Sequence, residues 1–157
     1  MTSKDIKIAY TEYASLKELE PKDRELAQAA IDATAQAYAP YSKFNVGAAV
    51  LFEDGVIVKG SNQENAAYPS GLCAERTALF YARASRPDKP MTAIAIAASQ
   101  NGELLETPVT PCGACRQVMA QYQLKSGLPM MVLLIGAHSI LKFERIDDLL
   151  PFIFDSI

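Results

Sequence analysis

The chain has 157 residues, half of them hydrophobic, with a net charge of −3 and a pI near 5.2. This length is enough for one domain with its own core, and we expect a single domain over residues 1–157. The acidic balance argues against nucleic-acid partners, whose phosphates are bound by basic surfaces. The apolar runs are too short to cross a bilayer, and no signal-peptide core follows the first residues, so we expect no membrane partner.

The first predicted elements lie before residue 60. Apolar residues alternate with polar or small ones at three positions near the start: Ile6, Ile8 and Tyr10. This alternation predicts an arm or an added edge strand within residues 1–20. A helix is predicted over residues 21–38, because Pro21 suits a first helical position and apolar residues follow at helical spacing. Two predicted strands, 46–52 and 56–59, flank a turn signal that ends in glycine.

The second half of the chain alternates helices with apolar strands. Predicted helices cover residues 73–84 and 112–125, and predicted strands cover residues 92–98 and 130–135. The strand 130–135 is wholly apolar, which is typical of a strand covered on both faces. His138 is expected in the turn that follows, between two strands. This order of elements predicts an α/β fold in which a mixed sheet lies between helices.

All three cysteines of the chain lie in two short motifs, Cys73-Ala74-Glu75 and Pro111-Cys112-Gly113-Ala114-Cys115. Three thiolates, the last two spaced C-x-x-C, can occupy three corners of a tetrahedral zinc site and leave the fourth open to water. Glu75 is too close to Cys73 to complete the shell, but it is well placed to contact that water. Each motif opens a predicted helix, where backbone N–H groups and the helix dipole favour the thiolate form.

The cysteines could also serve purposes that need no catalytic zinc. The thiols could be small buried apolar groups, or the C-x-x-C pair could be a thioredoxin-like redox centre. A redox centre lacks its usual context here, because Pro111 and Gly113 frame the pair and a third cysteine lies elsewhere. A closed structural zinc site would need a fourth ligand, and the only histidine, His138, has the sequence context of a turn. Reduced thiols suit a reducing compartment, so the cytoplasm is the expected location.

Arg76 is the candidate to balance the charge of the metal cluster. Three thiolates and Zn²⁺ sum to −1, and a bound hydroxide would bring the cluster to −2, which weakens the metal as a Lewis acid. Arg76 directly follows Glu75 and could offset this charge by donating hydrogen bonds to a ligand sulfur. The alternative is a surface arginine that pairs with an acidic side chain one helical turn away.

Four segments of the chain closely resemble the nucleoside cytidine deaminases: Pro40–Ala49, Asn62–Ala78, Pro111–Gln117 and Leu149–Phe154. They occur in the family's order and span roughly residues 21–154. The resemblance implies a three-layer α/β/α fold with a mixed five-stranded sheet and one Zn²⁺ per chain. It also implies hydrolytic deamination of cytidine and 2′-deoxycytidine to uridine and 2′-deoxyuridine, with release of ammonia. In the family's mechanism, zinc-bound hydroxide attacks C4 of the pyrimidine and the glutamate at the position of Glu75 moves the protons.

The same resemblance implies which residues hold the substrate. It places Asn62 and Glu64 on the ribose hydroxyls, Phe44 against the base and Ala74 within the substrate site. Free cytosine lacks the ribose hydroxyls, and a nucleotide brings a negative phosphate towards carboxylates and an anionic cluster. We therefore expect nucleosides to be preferred over both the base and the nucleotide.

The resemblance further implies the short, homotetrameric branch of the family, with active sites at subunit interfaces. In that branch a C-terminal aromatic side chain of one subunit stacks on the base bound by another. The run Leu149-Leu-Pro151 puts Phe154 at this position, although Phe152 is close by and plain core packing of Phe154 is the alternative. Tyr41 and Tyr68 are expected at the subunit interface.

Three rival functions remain open at this point. A blasticidin-type deaminase shares the zinc and glutamate arrangement, and would act on a larger aminoacylated nucleoside. RNA- or DNA-editing deaminases normally carry a histidine as the first ligand, where this chain has Cys73. A non-catalytic module stabilised by zinc would bind the metal but would not turn over cytidine.

Overall fold

The fold, described for residues 1–155 by a computed structural model, is a seven-stranded sheet with helices on both faces. The strands are β1 (Thr11–Tyr13), β2 (Phe44–Phe52), β3 (Ile57–Ser61), β4 (Met91–Gln100), β5 (Glu103–Leu104), β6 (Met131–Ile135) and β7 (Ile140–Phe143). The helices are α1 (Pro21–Ala33), α2 (Ala74–Ser85) and α3 (Gly113–Ser126). No helix within residues 1–155 has both the length and the hydrophobicity that a bilayer crossing requires.

The strand order is β1-β7-β6-β4-β2-β3, with β5 paired to the end of β4. Among the seven strands, only β4 and β6 run parallel to each other, and α3 connects them, whereas the other strand pairs described within residues 1–155 are antiparallel. The mixed sheet is confirmed, but the expected five strands are too few. The two additional strands are short: β5 turns back on β4 after Asn101-Gly102, and β1 covers the edge of β7 that would otherwise be unpaired.

Alternation along the central strands divides the interior into two cores. Ile94 and Leu134 lie in the core beneath α2 and α3, whereas Ala95 and Leu133 lie in the core beneath α1. Successive side chains of a strand point to opposite faces, so each central strand contributes to both cores. The three-layer α/β/α architecture is confirmed, and β6 is covered on both faces as its apolar sequence predicts.

The first helix ends earlier than its periodicity predicts. Helix α1 stops at Ala33, and the chain tightens into a 3₁₀ turn over Thr34–Gln36. The Thr34 hydroxyl donates to the carbonyl of Ile31 (2.8 Å), and the Ser61 hydroxyl donates to the carbonyl of Gln36 (2.9 Å). These contacts satisfy carbonyls at the end of the helix and direct the chain towards β3.

Two glycines allow helices to lie unusually close to the sheet. A Cβ atom on Gly47 of β2 would be 2.2 Å from the carbonyl oxygen of Ala30 in α1. A Cβ atom on Gly60 of β3 would be 2.5 Å from the backbone nitrogen of Ala78 in α2. Neither position can accept a side chain without moving backbone, so these glycines fix how deeply α1 and α2 sit against the sheet.

The N-terminal segment contributes one strand to the sheet edge. Strand β1 lies within the range 1–20, at Thr11–Tyr13, just after the alternating residues. Ile6 and Ile8 are exposed and lie outside any strand. Tyr10 is also exposed, with its ring centroid 5.5 Å from that of Phe143 in β7. His138 lies in the turn between β6 and β7, as expected.

Candidate active site

The two cysteine motifs meet at the N-termini of α2 and α3. Cys73 is the N-cap residue of α2, Cys112 is the N-cap residue of α3, and Cys115 lies in the first turn of α3. The Sγ atoms of Cys73 and Cys112 are 3.9 Å apart, and those of Cys112 and Cys115 are 3.4 Å apart. All three sulfurs lie within 4.8 Å of one another, and all three cysteines are free. The fold thus gathers the three predicted ligands into one cluster.

The thiol cluster fits a zinc ion. Zinc binds thiolate sulfur at about 2.3 Å, so two corners of a tetrahedron around it are about 3.8 Å apart. The observed sulfur separations of 3.4 and 3.9 Å lie on either side of this value. Cys112 is exposed and Cys115 is buried, so the cluster faces solvent on one side only. Three sulfur donors with one accessible side are the donor set of a zinc site that keeps a position open.

The local charges favour the thiolate form at Cys73. The hydrogen bond from the Cys115 thiol, assisted by Arg76, lowers the pKa of Cys73 to about 5 although burial opposes this. The same contact with Cys73, together with burial, raises the pKa of Cys115. One thiol of the cluster is therefore ionised at neutral pH, and a bound cation favours ionisation of the others.

Arg76 lies beside the cluster, as its predicted role requires. Its Nη2 is 3.9 Å from Cys73 Sγ, and this contact raises the pKa of the guanidinium. Within residues 1–155, Arg76 Nε is a buried nitrogen without a hydrogen-bond partner. A buried donor without a partner is costly, and this one lies where a negatively charged cluster would offset the cost.

Glu75 is buried at the start of α2, next to the thiols. Its side chain is only 5% exposed, and burial raises the pKa of the carboxyl above its ordinary value, with the Cys73 thiolate adding to the effect. A carboxyl with a raised pKa can hold a proton and release it nearer to neutral pH. A glutamate at a helix start is ordinarily a solvated carboxylate, and the burial of Glu75 is inconsistent with that role.

A cavity of about 580 Å³ opens next to Cys73, Glu75 and Cys112. This volume is within the range of small-molecule sites, roughly 300–1,000 Å³. Four of the five predicted substrate contacts contribute to its wall: Phe44, Asn62, Glu64 and Ala74. We call the part of the cavity at the cysteines the thiol end, and the part at Phe44, Asn62 and Glu64 the sugar end.

Hydrogen bonds from the backbone hold Glu64 and Asn62 at the sugar end. Glu64 Oε2 accepts from the backbone N–H groups of Tyr41 (2.9 Å) and Ser42 (3.3 Å), and Glu64 Oε1 accepts from the Ser42 hydroxyl. These contacts, led by the Ser42 hydroxyl, lower the pKa of Glu64. The Asn62 amide accepts from the N–H of Val46 (2.8 Å) and donates to the carbonyl of Phe44 (2.9 Å). Glu64 is thus kept ionised, and Asn62 also fixes the start of β2.

Phe154 is the predicted substrate contact that does not line the cavity of its own chain. Its side chain is 66% exposed, so it is not part of the core of its own chain. The Phe154 backbone N–H donates to Gln117 Oε1 (3.1 Å), and its carbonyl accepts from Gln117 Nε2 (2.7 Å). Arg116 donates to the carbonyls of Pro111 and Leu149 (2.8 and 2.9 Å). The C-terminal segment is therefore tied to the first turns of α3, with the Phe154 ring exposed.

The cavity rim contains two predicted interface residues and one residue that the sequence motifs do not single out. Tyr41 and Tyr68 both line the cavity, and both are exposed. Ser42 also lines the cavity, and it contacts Glu64 directly. Ser42 falls inside the family-like segment 40–49, but no spacing rule connects it to a partner 22 positions away.

The sequence matches the family model of the cytidine and deoxycytidylate deaminase zinc-binding region over residues 20–129. A cytidine deaminase of Halalkalibacterium halodurans is 51% identical over 96 residues, which cover 61% of this chain and 68% of that protein. A cytidine deaminase of Mycobacterium tuberculosis is 38% identical over 122 residues, which cover 78% of this chain and 81% of that protein. The matched region contains all three cysteines and Glu75.

A solved structure has the same fold over most of its length. The crystal structure of cytidine deaminase from Burkholderia pseudomallei superposes with a TM-score of 0.69 at 41% sequence identity. The match covers 83% of this chain and 97% of that chain. The cavity-lining residues lie between Tyr41 and Cys112, so the family-model match over residues 20–129 includes them as well as the short cysteine motifs.

Proposed function

Since this chain belongs to the cytidine deaminase family, we propose that it hydrolyses cytidine and 2′-deoxycytidine to uridine and 2′-deoxyuridine, with release of ammonia. One observation carries the proposal beyond family membership. A cluster of three thiols and a buried glutamate lies at one end of a cavity, and an ionised Glu64 lies at the other end. This arrangement suits a substrate with a reactive ring and a hydroxylated sugar.

Cys73, Cys112 and Cys115 hold one Zn²⁺ per chain in this proposal. Bound there, zinc supplies a Lewis acid that lowers the pKa of water at its open position. Arg76, with Nη2 3.9 Å from Cys73 Sγ, offsets the negative charge of the thiolates. Because the three thiols must remain reduced to bind metal, we place the enzyme in the cytoplasm.

Glu75 carries the protons of the reaction. Its carboxylate takes one proton from water and delivers it to N3 of the pyrimidine while the water oxygen bonds to C4. It then moves the second proton of that oxygen to the amino group, and the C4–N bond breaks as ammonia leaves. Burial supports this role, because the raised pKa brings the carboxyl closer to the pH at which it must both accept and donate. Water adds one oxygen and two hydrogens, and ammonia leaves, so the product is uridine.

The sugar end selects the nucleoside. Glu64 accepts a hydrogen bond from a ribose hydroxyl, since its three protein donors leave one of its roughly four lone-pair sites, on Oε1, free for this purpose. The Asn62 amide adds a second polar contact, and the half-buried Phe44 ring packs against the base. Ala74, which is fully buried at the start of α2, leaves room beside the thiols for the ring.

We assign the enzyme to the homotetrameric branch, in which neighbouring subunits complete each other's sites. The exposed Phe154 ring, whose backbone is anchored by Gln117, stacks on a base bound by another subunit. Tyr41 and Tyr68, which are exposed at the rim, contact the neighbouring subunit.

A spectrophotometric assay with purified protein tests the proposal. Cytidine absorbance should fall, uridine should form, and cytosine and cytidine monophosphate should be much poorer substrates. Metal binding without cytidine turnover would indicate a non-catalytic zinc module. Turnover of an aminoacylated cytosine nucleoside but not of cytidine would indicate a blasticidin-type deaminase. Equal or better efficiency with the monophosphate would contradict the assignment of the sugar end.

A further inference from the structure

We propose that Ser42 is a positioning residue that couples Glu64, the ribose contact, to Phe44, the base contact. This inference rests on the proposed function, because both partners of Ser42 act on the nucleoside. Ser42 is the link between a carboxylate that follows β3 and the first residue of β2.

The Ser42 hydroxyl uses both of its hydrogen-bonding capacities within the protein. Its O–H donates to Glu64 Oε1, and its oxygen accepts from the backbone N–H of Phe44 at 3.1 Å. The carbonyl of Phe44 is held separately by the Asn62 amide, 2.9 Å away. Both backbone polar groups of Phe44 are therefore bound by side chains of the sugar end, one of them through Ser42.

The backbone of the preceding turn supports this arrangement. The N–H of Lys43 donates to the carbonyl of Ala39 (3.1 Å), and Lys43 has a φ of 57°, in the left-handed region. In this turn the N–H groups of Tyr41 and Ser42 both donate to the same oxygen of Glu64. Consecutive N–H groups arranged in this way form an anion-binding concavity, and the Ser42 hydroxyl extends it to the second carboxylate oxygen.

Loss of the hydroxyl would affect binding more than chemistry. Without it, Glu64 Oε1 loses the donor that fixes its direction, and the N–H of Phe44 loses its partner. The thiols and Glu75 lie on α2 and α3, and they make no hydrogen bond to Ser42 within residues 1–155. The KM for nucleosides should therefore change while kcat stays close to that of the wild type.

The first experiment compares Ser42→Ala with a matched control, Ser139→Ala. Ser139 also donates a hydroxyl hydrogen bond to a glutamate, Glu12 (2.7 Å), but at the far edge of the sheet. We expect Ser42→Ala to raise the KM for cytidine about three- to tenfold, the value of one ordinary hydrogen bond, with kcat within about twofold. Ser139→Ala should retain both constants. An unchanged KM in Ser42→Ala, or a loss confined to kcat, would overturn the proposal.

Two further variants separate positioning from a general structural effect. Ser42 is exposed, so Ser42→Thr retains the hydroxyl without placing a methyl group in the core. The KM of this variant for cytidine should therefore be close to that of the wild type. In a Glu64→Ala background the penalty of Ser42→Ala should shrink, because one of its two partners is gone. A KM for Ser42→Thr as high as that for Ser42→Ala, or strictly additive penalties, would contradict the coupling.

Absence of cytidine turnover by the wild type would overturn the proposed function and this inference together. Normal turnover by the wild type with an unchanged KM in Ser42→Ala would overturn this inference and leave the proposed function intact.

Discussion

The thiol end and the sugar end of the cavity are built in different ways. The thiol end stands on the N-termini of two helices that pack on the central sheet, and its ligands belong to segments of three and five residues. The sugar end is made of a turn and the chain after β3, joined by hydrogen bonds between side chains and backbone. The thiol end is therefore anchored in the folded core through Cys115 and Cys73, whereas the sugar end depends on a few polar contacts at the surface.

In the proposed function the two ends have separate tasks, which match this difference. Chemistry at the thiol end needs charges held in fixed geometry, which packed helix starts provide. Recognition at the sugar end needs polar groups that meet hydroxyls, which an exposed turn can present. Changes at the thiol end should therefore abolish turnover, and changes at the sugar end should weaken binding.

Removal of one thiol should have the largest effect. We expect Cys112→Ala to lose bound zinc and measurable deamination, and to melt at a lower temperature because the starts of α2 and α3 are no longer tied through the metal. Elemental analysis and thermal unfolding measure both effects. Ala114→Ser changes an exposed residue of the same turn and should retain zinc and activity. Stoichiometric zinc and normal turnover in Cys112→Ala would contradict the metal site.

Neutralisation of Glu75 should have the next largest effect. Glu75→Gln keeps the size of the side chain but cannot carry a proton, so kcat should fall by at least ~10²-fold. Zinc content, melting temperature and KM should remain near those of the wild type, since the sugar end is untouched. Glu103→Gln, an exposed glutamate of β5, is the matched control and should retain full kcat. Near-normal turnover by Glu75→Gln would remove Glu75 from the mechanism.

The two ends also differ in how far the sequence predicts them. Cys73 and Glu75 are two residues apart, and Cys112 and Cys115 are three apart, each pair at a helix start that apolar periodicity predicts. Local rules therefore predict each half of the thiol end, and the joining of the two halves across 39 positions rests on the valence of the metal, which needs ligands from both. Asn62 and Glu64 are ordinary polar residues after a strand, and only family resemblance indicates their role. The contact between Ser42 and Glu64 joins positions 22 residues apart, and a local pattern cannot predict such a contact.

The same limit applies to the fold. The central strands and three helices follow from runs of apolar residues long enough to show a period. Strands β1 and β5 have three and two residues, too few for a pattern, and they form because a neighbouring strand offers an unpaired edge. The 3₁₀ turn that follows the early end of α1 is held in part by Ser61, which approaches Gln36 only in the folded chain.

Phe154 provides a third test, because it belongs to neither end of the cavity in its own chain. If its exposed ring stacks on a base in another subunit, Phe154→Ala should raise the KM for cytidine about tenfold, within the ~1–3 kcal/mol of aromatic–base stacking. Zinc content and kcat should be retained. Phe152→Ala is the matched control, since Phe152 is also exposed and lies two residues away. A fully active monomer by light scattering, or equal effects of both variants, would contradict the shared site.

The smallest expected effect is a shift in the pH at which cytidine binding weakens as the solution is acidified. The Ser42 hydroxyl holds the pKa of Glu64 below its ordinary value, and burial opposes this effect. Two backbone N–H groups and the positive charge of Lys43 lower the pKa further. A depressed pKa keeps the carboxylate ionised to lower pH, so removal of the hydroxyl should let Glu64 protonate at a higher pH.

The KM for cytidine in Ser42→Ala should therefore begin to rise at a higher pH than in the wild type as the solution is acidified from about pH 7. Ser139→Ala should follow the wild-type curve, because its glutamate lies outside the cavity. Any acid loss of metal would reduce kcat in all three proteins alike, so the comparison is made on the KM. Coincident curves for the wild type and Ser42→Ala would show that the backbone N–H groups alone fix Glu64, and that the sugar end does not depend on this one hydroxyl.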